Sequence, residues 1–263
     1  MKGKAMKNLK KILAVFMAAC LAVCMLAVMT GCGEEKTTEK LTVATSPDYP
    51  PFENLVDGEI VGFEADLWQA VAEEMGVEFE WKQMQFDAIE PAITAGEVDL
   101  GISGFSITPD REKSYLFSDS YFTDDIAVAA LTDSKEITKD NAKEALDKEG
   151  VVIAVQTGTT GETFAKENFS NATVKGYGNS TDCFAAVQAG KADAVCTNLS
   201  VVSDMLSESY TNEQVVYKEA SDEQYGFLLP QDSTDLQEQI NTALSTLKDN
   251  GKLDEITNKW FAE

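Results

Sequence analysis

Arg111 is the single arginine in a chain whose Lys+Arg count is 21. It closes the run Gly101-Ile102-Ser103-Gly104-Phe105-Ser106-Ile107-Thr108-Pro109-Asp110, which reads as a strand end, a turn of small residues and a short helix with Thr108 as N-cap and Pro109 at the first helical position. A cation in the first turn opposes the helix dipole, so helix stability does not account for it. A planar guanidinium donates two parallel hydrogen bonds to a carboxylate, which lysine cannot imitate. The simpler alternative is an exposed arginine paired with Asp110 or Glu112. Against it stands Gln156-Thr157-Gly158-Thr159-Thr160-Gly161, a turn that opens a helix and whose backbone N–H groups can converge on an anion. Facing Arg111, it would grip the same carboxylate from the other side. Ser106 and the Gly104 carbonyl offer acceptors for an ammonium group. Tyr49 and Phe86 each follow a strand end and either enclose a small ligand or pack as rim residues. Together these groups describe a site for an α-amino acid.

A pair of α/β units would position them. Leu41–Thr45 is a buried-type strand that runs into Ser46-Pro47-Asp48-Tyr49-Pro50-Pro51-Phe52, where three prolines argue against regular structure. Phe63, Leu67, Val71 and Met75 form the apolar stripe of a helix ending at Gly76, with Glu64 and Asp66 near its positive end. A strand over 78–82 and a helix over 87–94 follow. Then Ala92-Ile93-Thr94-Ala95-Gly96-Glu97-Val98-Asp99-Leu100 is answered by Ala186-Val187-Gln188-Ala189-Gly190-Lys191-Ala192-Asp193-Ala194, 94 residues later. Both read helix, glycine cap, strand. The strand Leu41–Thr45 has its own counterpart in Val151–Val155, so two α/β lobes of one plan are expected. Ligands of open α/β sheets sit beyond the carboxyl ends of strands. The ends at Ser46–Tyr49, Ser103–Ser106, Gln156–Thr160 and Thr197-Asn198 would therefore line one cleft. Two hinge crossings are expected, through Ile126–Leu131 and Tyr225–Leu229. That places one lobe over 41–128 plus 227–263 and the other over 129–226. Helices over 234–250 and 253–261 finish the chain, docked through Leu236, Ile240, Leu244 and Leu247.

Composition narrows the chemistry. The chain has 263 residues, a formal net charge of −24 and no histidine, which argues against nucleic-acid binding, Ser-His-Asp catalysis and most zinc sites. No metal and no cofactor are expected. Lys2, Lys4, Lys7, Lys10 and Lys11 precede an apolar run from Ile12 to Met29, the pattern of an export signal over 1–31. Val28-Met29-Thr30-Gly31-Cys32 resembles a bacterial lipobox, with Met29 a less usual residue at its place. It implies lipidation of Cys32, a flexible tether over 32–40 and anchoring at the outer face of the cell membrane. Cys183 and Cys196 remain; a disulfide is permitted there, and two buried thiols are the blander alternative.

From Leu41 to Glu263 the chain resembles a bacterial extracellular solute-binding protein of the polar amino-acid family, the glutamine-, histidine- and arginine-binding components of ABC importers. The resemblance rests on Gly62-Phe63-Glu64-Ala65-Asp66-Leu67, with Ala65 where a larger aliphatic is usual, on Ser103–Arg111, on Gln156–Thr160 and on Gly251–Phe261. It implies a two-lobe periplasmic-binding-protein-like α/β fold, a monomer, hinge closure and delivery of an amino acid to an ABC permease. It further implies that Arg111 grips the α-carboxylate with help from the Thr160 backbone, that Gly104 and Ser106 receive the ammonium, and that Tyr49 and Phe86 enclose the side chain, with Ser103, Phe105 and Thr159 also expected among the ligand-binding residues. Asn198 departs from the aspartate that generally neutralises the ligand ammonium, and Ser46 stands where an acid is common. A polar, uncharged side chain is therefore expected, with Gln156 as its partner, and whether the ligand keeps a free ammonium stays open. A sensing adaptor for a membrane receptor and, further off, a dehydratase-like enzyme are the alternatives; catalysis is not expected, because Asp48 is the one acid among the residues read near the cleft.

Overall fold

The structure, a computed structural model, describes residues 40–261. The expected leader, lipidated Cys32 and all but the last residue of the tether lie outside them. In the chain, β1 (Lys40–Thr45) is followed by β2 (Asp48–Tyr49), β3 (Glu53–Val56), β4 (Glu59–Val61), α1 (Phe63–Met75), β5 (Glu78–Gln83), α2 (Phe86–Thr94) and β6 (Leu100–Gly101). A single 3-10 turn (Arg111–Lys113) leads to β7 (Tyr115–Phe117), β8 (Phe122–Leu131), α3 (Ala142–Leu146), β9 (Val152–Gln156), α4 (Thr160–Asn168), β10 (Thr173–Tyr177), α5 (Ser180–Gln188) and β11 (Ala194–Asn198). The chain continues through α6 (Leu199–Glu208), β12 (Glu213–Tyr225), β13 (Leu228–Pro230), α7 (Thr234–Asp249) and α8 (Lys252–Phe261).

Two five-stranded sheets result, in the orders β5-β1-β6-β13-β7 and β10-β9-β11-β8-β12. In each, three parallel strands built from the strand-helix repeat are extended by two more through antiparallel pairings, so that only β13 in the first sheet and β8 in the second run against the rest. The repeat read from sequence extends to side chains. Asp99 accepts the backbone N–H of Thr42 at 2.7 Å, and Asp193 accepts that of Val152 at 2.8 Å, so each aspartate ties the first strand of its unit to the strand that follows the helix.

The crossings fall slightly away from where the sequence puts them. Ile126–Leu131 is the second half of β8, with Ile126–Ala130 paired on one side with β11 and on the other with β12, and cannot bend without breaking both ladders. The chain passes between sheets earlier, between β7 and β8, and returns between β12 and β13. All of β8 from Phe122 thus belongs with the second sheet. The 46–52 loop also differs from expectation. Pro50 and Pro51 occupy a turn, where no N–H is required, while Asp48 and Tyr49 pair with Asn54 and Glu53.

The core follows the predicted stripes: Phe63, Leu67, Trp68 and Val71 of α1 and Ile240, Leu244 and Leu247 of α7 are buried, with Met75 and Leu236 packed at the margin. Beside the crossings, Phe52, Phe63, Phe122, Tyr225 and Phe261 form an aromatic cluster with ring centroids 4.6 to 6.1 Å apart. Each such pair adds about 0.5–1.5 kcal/mol beyond its burial. Gly62 makes this packing possible. A Cβ there would lie 2.1 Å from the Phe52 carbonyl oxygen, where Phe63 N–H and Glu64 N–H donate to the Pro51 and Phe52 carbonyls.

Glu64, expected to serve the helix dipole, is instead fully buried. Its carboxylate accepts Gly104 N–H at 3.0 and 3.1 Å and the Tyr121 hydroxyl. Glu53 lies beside it and accepts Ser103 Oγ–H at 2.8 Å. Its other oxygen has no hydrogen-bond partner among the described residues. Burial first, and then the neighbouring Glu64 charge, hold Glu53 well above the usual carboxyl range. Burial raises Glu64 as well.

Two predictions follow from this packing. Gly62→Ala should lose about 3 kcal/mol or more of stability in urea unfolding, whereas Gly58→Ala, with open space around its Cβ, should lose only the backbone strain of about 1–2 kcal/mol. The Glu53 proton gives the second. A native pKa above the unfolded one means that the folded chain holds a proton the unfolded chain releases, so this stability is full below about pH 4 and falls as pH rises. Asp124, pushed by burial to about 6, and Glu213, pushed by burial to about 8, act in the same sense. Glu53→Gln should therefore make the decline in unfolding free energy between about pH 5 and 8 shallower; an unchanged slope would contradict the upward hold on Glu53.

Candidate functional site

The carboxyl ends of β1, β6, β9 and β11 converge on a nearly closed cavity between the sheets, with about 10 Å³ of room for water, lined by Tyr49, Phe86, Ser103, Gly104, Ser106, Arg111, Gln156, Thr159, Thr160 and Asn198. Larger surface hollows exist, such as the one along α7 by Asp235, Glu238 and Thr242, but they do not lie at the strand ends between the sheets. Ten of the twelve residues singled out from sequence line this cavity, and two do not. Ser46 is buried behind it and donates to Asp48 at 2.8 Å. Phe105 is fully buried beneath it, its ring stacked on Phe86 at 4.7 Å.

Arg111 rests on this aromatic floor, its guanidinium carbon 5.1 Å from the Phe105 centroid and 5.6 Å from that of Phe86. Thr108 Oγ1 accepts Arg111 N–H at 3.3 Å, so the predicted cap exists, although the helix it opens is only one 3-10 turn. The ion-pair partner is Glu90 of α2, 2.9 Å from Nε, rather than Asp110 or Glu112. Nη1 donates to the Ser106 carbonyl and Nη2 to the Gly158 carbonyl, each at 3.0 Å. These use three of the five N–H groups of a guanidinium.

The second half of the site comes from the β9–α4 turn. Thr159 caps α4, accepting Glu162 N–H at 3.2 Å and donating to the Gln156 carbonyl at 2.8 Å. Gly158 N–H is taken by Glu162 at 2.7 Å, so it does not face an anion as the glycine-rich turn suggests. What remains are the N–H groups of Thr160 and Gly161 in the first helical turn, which the helix cannot satisfy. Gly104 is needed for close approach. A Cβ there would stand 3.1 Å from the Tyr49 ring at a φ of +59°.

Polar contacts stitch the two sheets together around the cavity. Tyr49 donates to Asn198 Oδ1 at 2.6 Å and lies 3.0 Å from Thr197 Oγ1. Asp48 accepts Ser180 N–H at the start of α5 and Gln156 Nε2–H at 3.3 Å; burial raises its pKa against the pull of these donors. Cys183 and Cys196 are buried free thiols, and burial pushes both upward, away from the reactive thiolate. No metal-binding cluster of His, Cys, Asp or Glu occurs among the described residues.

One residue at the site is absent from the sequence reading. Glu223 Oε2 accepts hydrogen bonds from Ser106 Oγ at 2.8 Å, Thr160 Oγ1 at 2.9 Å and Asn198 Nδ2 at 2.9 Å, three side chains that all line the cavity. Asp48 is thus not the sole acid near the cleft. Glu223 sits where β12 slips register against β8, after Asp222 at a φ of 48°. The turn-prone Ser221-Asp222 pair was the available signal, and it marks a bulge without saying which way the next side chain points.

The chain matches the family of bacterial extracellular solute-binding proteins, family 3, over residues 41–171 and 159–263. It is 31% identical over 228 residues to the putative ABC transporter arginine-binding protein 2 of Escherichia coli, covering 85% of this chain and 91% of that protein. It is 30% identical over 267 residues to the arginine-binding extracellular protein ArtP of Bacillus subtilis, covering 96% and 98%. Among solved structures, an ancestral arginine-binding protein bound to glutamine superimposes with a TM-score of 0.79 at 34% identity, over 85% of this chain and 98% of that one. Two sheet-based lobes, a cleft at their strand ends and these matches agree: the chain belongs to the bacterial extracellular solute-binding proteins, family 3.

Proposed function

We propose that the protein captures an α-amino acid between its lobes, closes on it by hinge motion and delivers it to an ABC permease, held at the outer face of the membrane by lipidated Cys32. The observation that carries the reading is the meeting of Arg111, from the first lobe, with the start of α4, from the second, at one cavity wall. In this reading the two spare guanidinium N–H groups and the Thr160 and Gly161 N–H groups take the α-carboxylate. Gly104 and Ser106 face the ammonium, and Tyr49 and Phe86 flank the side chain, with Gln156 at its end. A polar, uncharged side chain suits this wall. Ser46 carries no charge, and the Asp48 carboxylate already accepts Ser46, Gln156 and Ser180. The names of the relatives point to arginine for two of them, and the ancestral protein was solved with glutamine.

Titration calorimetry with a panel including L-glutamine, L-histidine, L-lysine and L-arginine tests the proposal. Saturable binding is expected, tightest for an uncharged polar member, with the amino acid recovered chemically unchanged. Arg111→Lys should weaken it by about 10- to 100-fold. Tighter binding of arginine would overturn the uncharged side chain and leave amino-acid capture standing; no binding by any member, or conversion of the bound compound, would overturn the capture itself.

A further inference from the structure

Arg111 and Glu223 are unequally partnered at the cleft. Arg111 is paired with Glu90. Glu223 has no cationic partner within ion-pair distance among the described residues. Its Oε2 is surrounded by the neutral donors Ser106, Thr160 and Asn198, and its Oε1 accepts no hydrogen bond among the described residues. A half-buried carboxylate held by three neutral donors and left with a free oxygen suits a ligand that brings its own positive charge.

The backbone fixes where that charge must be. Segment 105–107 pairs with 224–226 through Ile107 N–H to the Gln224 carbonyl at 2.7 Å and Gly226 N–H to the Phe105 carbonyl at 3.1 Å. Ser106 lies between, its carbonyl on Arg111 and its hydroxyl on Glu223. Opposite charges are thus both hydrogen-bonded to one residue, which suits a ligand carrying a carboxylate and an ammonium on a single carbon. Asn198 completes the arrangement. Its oxygen accepts Tyr49, which leaves its amide N–H free to orient Glu223.

We propose that Glu223, reaching the cleft from the β12 bulge, is the acid that recognises the ligand α-ammonium, replacing the aspartate for which Asn198 stands, so that the ligand keeps a free ammonium group. Asn198 becomes a positioning residue for Glu223. The inference rests on the amino-acid reading above. An alternative role, Glu223 as an internal stand-in that occupies the carboxylate subsite, is weighed by the same test, because it predicts the opposite sign.

The experiment is calorimetric titration of L-glutamine and of its 2-hydroxy acid analogue, which carries a hydroxyl in place of the ammonium, into the parent, Glu223→Gln and Glu223→Gln/Asn198→Asp chains. The parent should prefer the amino acid by at least about tenfold. Glu223→Gln should weaken L-glutamine by about 10- to 100-fold and abolish the preference, and Asn198→Asp in that background should restore much of it. Unchanged or tighter binding of L-glutamine by Glu223→Gln overturns the role of Glu223 while amino-acid capture stands. A parent chain that binds L-glutamine and its hydroxy analogue equally overturns ammonium recognition without any variant having to fold. Absence of parent binding to every amino acid in the panel overturns the underlying reading instead.

Discussion

A guanidinium with only 10% of its side chain exposed costs several kcal/mol to bury unless its hydrogen bonds and its charge are answered. Around Arg111 the answers come from separate places. Glu90 supplies the counter-charge from α2, Phe86 and Phe105 the apolar plane, Ser106 a carbonyl from the same loop, and Gly158 a carbonyl from the other lobe. The last of these makes the cation a contact between the lobes, because one of its N–H groups is answered by a carbonyl of the β9–α4 turn.

The scaffold beneath holds these groups in place. Glu64 fixes the Gly104 turn through one backbone N–H shared between its two oxygens, Glu53 fixes Ser103, and both are anchored by the hairpin and α1 that meet at Gly62. Polar groups placed this deep are rigid because any displacement strands a carboxyl without a partner. The short passages between β7 and β8 and between β12 and β13 are tied to each other beside the aromatic cluster: Ser118 N–H donates to the Phe227 carbonyl at 2.9 Å and Tyr121 N–H to the Tyr225 carbonyl at 3.1 Å.

Much of this was legible in local sequence. The strand-helix repeat around Gly96 and Gly190 carried its plan, because a glycine cap followed by an aspartate and an apolar strand is determined within ten residues. The end-of-strand rule then identified the cleft and most of its walls without any long-range information. Three features were not legible, each for a non-local reason. Glu64 looked like an ordinary dipole partner because nothing near it in sequence announces Gly104. Ile126–Leu131 looked like a hinge because its small residues suit one, but they are small to fit between two neighbouring strands. Glu223 was hidden by a register slip, which decides on which face of a strand a side chain emerges and depends on pairing with β8, about a hundred residues upstream.

Because Arg111 is the single arginine, its guanidinium can be observed alone by nuclear magnetic resonance in protein labelled with nitrogen-15 arginine. Titration with L-glutamine should shift the single Nε resonance saturably and slow rotation about the Nε–Cζ bond, as a carboxylate replaces looser contacts. A resonance that does not move while calorimetry registers binding would show that the amino acid is held elsewhere, and the cleft described above would not be the site.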